Sequence, residues 1–263
     1  MVEAETVLKI LLPVYESSSH GNFDRILPEI RKAGCPYQLV ISVDREIRVG
    51  ELPARNRLFS MALQDPDWDY CVTLSNDIFE LSENWGQKLV DHIEELPVDV
   101  GALNAYGFVN TFPEHAWAQF LVGQDGQNLW ITDPSTEMGK EDMGVFNSTT
   151  PPNPELSTAC CIIKREVLEK VGLFDEGFGR GGGMEHWDYV IRMYRAGYQN
   201  LLTYRVTFKA DIAHGNNFSP NDTTTYYRQK WGTGLDGLPT KVFIEKAKTT
   251  SPSAGFTAKG RVK

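Results

Sequence analysis

The chain has 263 residues, 41% of them hydrophobic and 23% charged, which are ordinary proportions for a soluble globular protein with a substantial core. A formal net charge of -9 argues against a broad nucleic-acid-binding surface and leaves room only for a local basic groove. No apolar run has membrane-spanning length, and the opening MVEAETVLKI lacks a basic stretch and cleavage site, so a cytoplasmic location without stable membrane insertion is expected.

Residues 7–15 (VLKILLPVY) are a compact apolar run closed by Pro13, Val14 and Tyr15. They read as a buried strand leaving the sheet at its C-terminal end, where ligand sites of open α/β sheets lie. Residues 23–33 carry Phe23, Ile26, Leu27 and Ile30 at helical spacing, with Gly34 placed to cap. Residues 37–44 are a second buried strand with Asp44 at its exit, where a carboxylate can accept from an N–H of uracil, thymine or guanine, or simply serve a turn. The β-α-β order predicts a parallel, Rossmann-like nucleotide-binding half. The next helix begins around residues 52–59, with Leu58, Met61 and Ala62 turned inward. Arg55 near its start suits either phosphate oxygens or a surface salt bridge. Residues 68–77 form a third strand that delivers Ser75, Asn76 and Asp77. Only Asp77 is a carboxylate, so a cation held there needs phosphate oxygens, water and a distant side chain; without a metal, Asp77 can orient a ribose or cap the turn.

Residues 83–96 read as a helix and 98–103 as a strand. The segment 104–156 is the least readable, with Tyr106, Phe108, Phe112, Trp117, Phe120 and Trp130 suited either to stacking on a sugar or to ordinary core contacts. Four cysteines, Cys35, Cys71, Cys160 and Cys161, show no C-x-x-C spacing. The last two, adjacent in a predicted strand over 159–163, point to opposite faces, so reduced buried thiols are expected. A helix over 165–171 and a glycine-rich loop over 177–183 follow, then a second helix opening with Met184, Glu185, His186, Trp187 and Asp188. In it Trp187, Val190, Ile191 and Tyr194 fall at i, i+3, i+4 and i+7 and predict one buried stripe, with Glu185, Asp188, Arg192 and Arg195 on another face. An acidic pair at a helix entrance behind a glycine loop suits a catalytic base, and equally suits the helix dipole alone. Residues 200–208 read as a strand, and His214 beyond it carries an imidazole able to complete a Mn2+ shell. His20, His92 and His115 have no comparable context. Residues 241–263 are a basic tail, expected to be flexible.

The ordered segments KREVLEKVGLFDEGFG, MEHWD and RMYRAGY resemble the acceptor-side pattern of inverting GT-A glycosyltransferases, family 2 and its rhamnosyltransferase-like branch. That pattern runs R-x-x-F-x-x-V-G-G-F-D-E-x-F, then G-E-D-x-D, then R-x-x-x-x-G-Y. Leu12-Pro13-Val14-Tyr15 resembles the family's I-P-x-Y, Asp44 its base-binding Asp, and Ala54-Arg55-Asn56 its A-R-N. Leu74-Ser75-Asn76-Asp77, with Trp85 and Leu89, resembles its L-N-N-D, and NDTTTYYRQKWG (residues 221–232) its N-x-x-Y-F-x-x-K-W-G ending, a helix packed on the catalytic domain, which would make Tyr226, Tyr227 and Trp231 structural and let Lys230 or Arg228 reach phosphate. His186 departs from the family, standing where the Asp of a Glu-Asp pair is usual.

The resemblance implies an α/β protein of the GT-A (Rossmann-like) class, an α/β/α sandwich with a mostly parallel central sheet. Residues 1–240 would form one domain, with a nucleotide-sugar half (1–103), an acceptor and catalytic half (104–240), and the tail beyond. It implies divalent-metal-assisted transfer of a hexosyl or related sugar, with inversion, from a nucleoside-diphosphate donor to a hydroxyl of a carbohydrate or other acceptor; a nucleic-acid acceptor stays open. Donor contacts would come from Pro13, Tyr15, Asp44, Arg55, Ser75, Asn76 and Lys230, and Mn2+ or Mg2+ would lie at Asp77 and His214. For the base, Glu185 acting directly, His186 as a neutral imidazole, and Asp188 orienting either all compete, and the pair Glu185 and His186 is favoured. Two other readings stand beside this one. A sugar-1-phosphate nucleotidyltransferase should carry a Gly-rich, basic loop after its first strand, which residues 16–21 (ESSSHG) lack. A non-catalytic nucleotide-sugar or glycan-binding relative is the other, because Ser75 and His186 replace carboxylates.

Overall fold

A computed structural model describes residues 7–15, 23–44, 50–96, 99–109, 120–122, 128–130, 156–179, 184–210 and 220–231. His20, His115, Phe112, Trp117, residues 180–183, His214 and the tail 241–263 lie outside these, as do the side chains of Tyr15, Asp44, Phe108, Phe120, Trp130 and Arg228.

The apolar run predicted first is β1 (Leu8–Tyr15), with Leu8, Ile10, Leu11 and Leu12 buried on both faces of the sheet. Lys9, inside this run, is buried because its ammonium donates to Asp65 Oδ2 at 2.6 Å and Gln38 Oε1 at 2.7 Å, so the buried charge is paired. α1 (Phe23–Ile30) runs into a 3-10 turn, Arg31–Ala33, that ends at Gly34. Gly34 has φ 77°, and a Cβ there would lie 2.7 Å from Asn84 Oδ1, so conformation and packing both require glycine. β2 (Tyr37–Asp44), α2 (Glu51–Gln64) and β3 (Tyr70–Leu74) complete the parallel part.

The expected third strand stops at Leu74, and a separate short strand, β4 (Ile78–Leu81), follows before α3 (Trp85–Glu95). β5 (Val100–Val109) is longer than expected and is followed by a small hairpin, β6 (Phe120–Val122) and β7 (Asn128–Trp130). β8 (Cys160–Lys164) passes directly into α4 (Arg165–Val171); then come α5 (Glu185–Arg195), β9 (Gln199–Ala210) and α6 (Pro220–Trp231). No helix among the described residues is long and apolar enough to cross a membrane.

Seven strands form one sheet in the order β2-β1-β3-β8-β5-β9-β4. The sheet is more mixed than the β-α-β alternation suggests. β1 pairs in parallel with β2 and β3, and β5 with β9, whereas β8 is antiparallel to both its neighbours and β4 is antiparallel to β9. The sheet also curls. Leu74 and Ile78 are four residues apart, a reach of about 14 Å at most, yet four flat strand spacings would place β4 about 19 Å from β3. Curling brings the far edge back toward the end of β3, so Ser75, Asn76 and Asp77 bridge that gap.

Helices cover both faces. α1 and α3 pack through Ile26, Ile30, Trp85, Leu89 and Ile93 against Ile10, Leu12, Val72, Leu74 and Cys160 of one face. α2, α4 and α5 pack through Phe59, Val167, Tyr189 and Met193 against Leu11, Cys71, Cys161 and Ile163 of the other. Cys160 and Cys161 thus point to opposite faces as expected, and all four thiols are free.

His92 on α3 is buried with Nδ1 2.8 Å from Thr203 Oγ1, which also accepts the Arg205 N–H at 3.0 Å. Burial, helped by the Arg205 cation and opposed by Glu95, pushes the imidazole down to about 4. An unfolded histidine titrates near about 6.5, so this contribution is fully present above that pH and is lost as pH falls toward 4. Urea unfolding should show wild type losing about 2 kcal/mol relative to His92→Gln between about pH 7 and pH 4.5.

Candidate active site

β3 ends where Ser75 N–H donates to Ala159 O at 2.9 Å, just ahead of β8, and the chain turns with Ile78 N–H donating to Ser75 O at 3.5 Å. This is the sheet edge at which β1 and β2 also finish, with Pro13 beside Ser42 and Tyr15 beside Asp44 in register. Asp77 sits half-buried in the turn leading into β4.

Arg55 projects to this point from α2. It is only 3% exposed, donates Nη2–H to Ser75 Oγ at 3.3 Å, and donates Nε–H to Glu51 Oε1 at 2.9 Å. The guanidinium is therefore buried, and of the ion pair that its sequence position also allowed only Glu51 keeps exposure, at 38% of its side chain. Its Nη1, and the Nδ2 of Asn76 (7% exposed), are buried donors with no acceptor among the described residues. An unmet buried donor costs about 1–3 kcal/mol, so two of them beside one strand end favour a ligand rich in oxygen acceptors.

From Glu51 the contacts continue to the entrance of α5. Thr158 Oγ1 donates to Glu51 Oε1 at 3.3 Å and lies 3.4 Å from His186 Nε2, and Glu185 Oε1 lies 3.0 Å from the same nitrogen. With its only proton directed to Glu51, Thr158 is an acceptor toward His186. Both neighbours of Nε2 thus favour a proton there, which leaves the lone pair of a neutral imidazole on Nδ1. The Glu185 side chain is fully buried, whereas that of His186 keeps 13% exposure, with its ring edge-on to Phe174.

α5 turns a different face inward from the one its periodicity predicts. Its buried residues are Glu185, Asp188, Tyr189, Val190 and Met193, while Trp187, Ile191 and Tyr194 are half-buried. The two carboxylates go inward because partners distant in sequence meet them there. Asp188 Oδ2 accepts from Arg192 Nε at 2.9 Å, and its Oδ1 accepts from Trp231 Nε1 at 3.1 Å and Lys230 Nζ at 2.6 Å. Lys230 is held at 2.6 Å by Asp175 as well, and Tyr226 O–H donates to the same carboxylate at 3.0 Å. Burial pushes the Asp175 carboxyl up, but Lys230, the Gly177 N–H and Tyr226 more than offset it and hold it below its ordinary value. Asp188 and Lys230 are thus joined to each other in a clamp between α5 and α6.

Three contributors were not singled out from the sequence. Glu51 and Thr158 carry the middle of that run. Asn56 pins the segment beneath His186, its side-chain amide donating to Phe174 O at 2.9 Å and accepting from Phe174 N–H at 2.9 Å. The i,i+4 spacing of Glu51 and Arg55 was the one local signal available. Of the expected metal pair only Asp77 is described, and among the described residues no group of three or more His, Cys, Asp or Glu could hold a metal ion.

No family model and no curated protein matches the sequence. Solved structures do match in fold. The chain is similar to a mannosyltransferase, PcManGT from Pyrobaculum calidifontis, in complex with GDP-Man and Mn2+, with 12% identity over 91% of this chain and 68% of that one and a TM-score of 0.54. It is also similar to GalNAc-T7 with UDP, GalNAc and Mn2+, with 14% identity over 94% of this chain and a TM-score of 0.51; it spans 55% of the GalNAc-T7 chain. The fold is therefore the mixed α/β fold of these GT-A glycosyltransferases.

Proposed function

We propose that the chain is a glycosyltransferase that moves a hexosyl or related sugar from a nucleoside-diphosphate donor to an acceptor hydroxyl, with inversion and with a divalent cation. The observation that carries this reading is the junction at the end of β3. Two buried donors, on Arg55 and Asn76, stand there beside Asp77, and contacts no longer than 3.4 Å lead on to His186 and Glu185. The likeness in fold to two glycosyltransferases, one with UDP and one with GDP-Man, supports it.

In this reading Arg55 and Asn76 bind the diphosphate oxygens, with Ser75 holding the guanidinium in place. Pro13, Tyr15 and Asp44 at the neighbouring strand ends receive the nucleoside. The residues fit a cation that arrives with the phosphates, because unmet donors suited to an anion lie at the strand end whose turn carries Asp77. Asp77 and His214 would hold Mn2+ or Mg2+, which when bound neutralises charge on the departing diphosphate. His186 takes the acceptor proton on Nδ1, and the Glu185 carboxylate stabilises the resulting imidazolium. The hydroxyl oxygen bonds to the anomeric carbon as the diphosphate leaves with the electron pair of the glycosidic bond. One such in-line displacement inverts the configuration. Asp188 supports the helix that carries the base.

Donor hydrolysis assayed with and without Mn2+ tests the proposal. Turnover of a nucleoside-diphosphate sugar that falls on chelation is expected, while tight donor binding without any turnover would identify a binding protein instead. The clamp makes a separate prediction. Lys230→Met leaves buried Asp188 with fewer donors and should lower stability by about 1–3 kcal/mol in urea unfolding. Donor affinity in that variant should stay within about twofold of wild type, since the ammonium is committed to two carboxylates.

A further inference from the structure

We infer that Glu51 is a positioning residue that couples the donor end of the site to its base: one carboxylate oxygen holds the Arg55 guanidinium and, through Thr158, the His186 imidazole. This deepens the glycosyltransferase reading and rests on it. An ordinary i,i+4 pair of Glu and Arg on a helix surface contributes little and needs no third partner. Here the Arg is 3% exposed, and the same Oε1 that accepts Arg55 Nε–H at 2.9 Å also accepts a hydroxyl from Thr158, in the segment before β8 and 107 residues away. Thr158 in turn lies 3.4 Å from His186 Nε2.

The charges give this link a direction. Burial pushes the Glu51 carboxyl up, but Arg55 and His186, with the hydrogen bonds from Arg55 and Thr158, more than offset it and hold it below its ordinary value. Glu51 is therefore an anion at neutral pH. The described groups facing His186 include Glu185 on its own helix, Thr158, the Glu51–Arg55 pair on α2, and the Phe174 ring. Without a donor, Arg55 neutralises much of the Glu51 charge. A diphosphate at Nη1 draws on the same guanidinium, so less of the Glu51 charge is cancelled. Its pull through Thr158 on the Nε2 proton then grows, and His186 becomes a stronger base once the donor is seated.

Glu51→Gln keeps the shape and one acceptor but removes the charge, and it separates this role from a merely structural one. UDP and GDP binding is measured by calorimetry in Mn2+, and donor turnover is followed from about pH 5 to about pH 9. Whichever diphosphate binds wild type should bind Glu51→Gln about three- to tenfold tighter, because Arg55 has lost its competitor. Turnover should fall about 10- to 100-fold, and its acid limb should move down by about half to one pH unit as His186 loses a neighbouring anion. Thr158→Val supplies the second variant, cutting the link to His186 while leaving the Glu51–Arg55 pair. Its acid limb should move down in the same sense while diphosphate affinity stays unchanged. Equal or weaker diphosphate binding in Glu51→Gln, or an acid limb unmoved in both variants, overturns the coupling while leaving the transferase reading intact. Wild-type protein that binds neither nucleotide and turns over no donor removes the transferase reading and this inference with it.

Discussion

Replacing His186 with asparagine should lower sugar transfer by about 10²- to 10⁴-fold while donor affinity stays within about twofold of wild type. Asparagine keeps polar atoms only at the level of Nδ1 and falls short of the Nε2 position, so the contacts with Thr158 and Glu185 go with the ring. The basic lone pair of the imidazole disappears as well. Glu185→Gln should produce a loss of comparable order, because the fully buried carboxylate lies 3.0 Å from Nε2 and an uncharged amide cannot stabilise the imidazolium. Equal activity in Glu185→Gln would remove Glu185 from this role. His186→Asp, which introduces the residue usual at this position in the resembling family, should keep more activity than His186→Asn and move the acid limb toward the carboxylate range. Steady-state kinetics on the three variants, with donor affinity measured separately, distinguishes these outcomes.

Arg55→Met should weaken nucleoside-diphosphate binding by about 10- to 100-fold, the range expected when a charge-assisted hydrogen bond of about 1.5–3 kcal/mol is removed. The methionine fills the space of the aliphatic stem but leaves Ser75 Oγ without its donor at 3.3 Å and Glu51 without its cation at 2.9 Å. Some loss of stability should accompany the loss of affinity. Arg55→Lys restores the charge but cannot reach Ser75, Glu51 and a phosphate together, so it should recover only part of the affinity. Calorimetry on the two variants, with urea unfolding alongside, measures both effects.

The residues differ in how openly their sequence context declared them. β2 and α4 emerge with the bounds the sequence predicts, since a dense apolar run in one and a helix bounded by Gly172 in the other leave few alternatives. The direction of β8 was not legible: CCIIK reads the same whether it pairs in parallel or antiparallel, and its neighbours β3 and β5 lie far from it in the chain. β4 was missed because four residues, IFEL, give too short a pattern. The inward face of α5 was misjudged because periodicity counts Glu185 and Asp188 as polar and cannot see Trp231, which meets Asp188 from 43 residues away. At the site, Arg55, Ser75, Glu185 and His186 were named from family likeness, and the structure joins them into one run of contacts. Thr158 had no distinguishing context, and Glu51 looked like any acidic residue in the first turn of a helix.

The central claim is that a nucleoside-diphosphate sugar and a divalent cation occupy the end of β3, and a thermal-shift screen of such sugars with Mn2+ tests it most directly. At about 100 times its Kd, a ligand of the native state adds about 2.7 kcal/mol, enough to raise the Tm of a chain this size by about 5–10 °C. Such a rise is expected for at least one donor, and in Arg55→Met it should fall to about half or less at the same donor concentration. A flat response across uridine, guanosine and thymidine diphosphate sugars, or a rise of equal size in Arg55→Met, would contradict it.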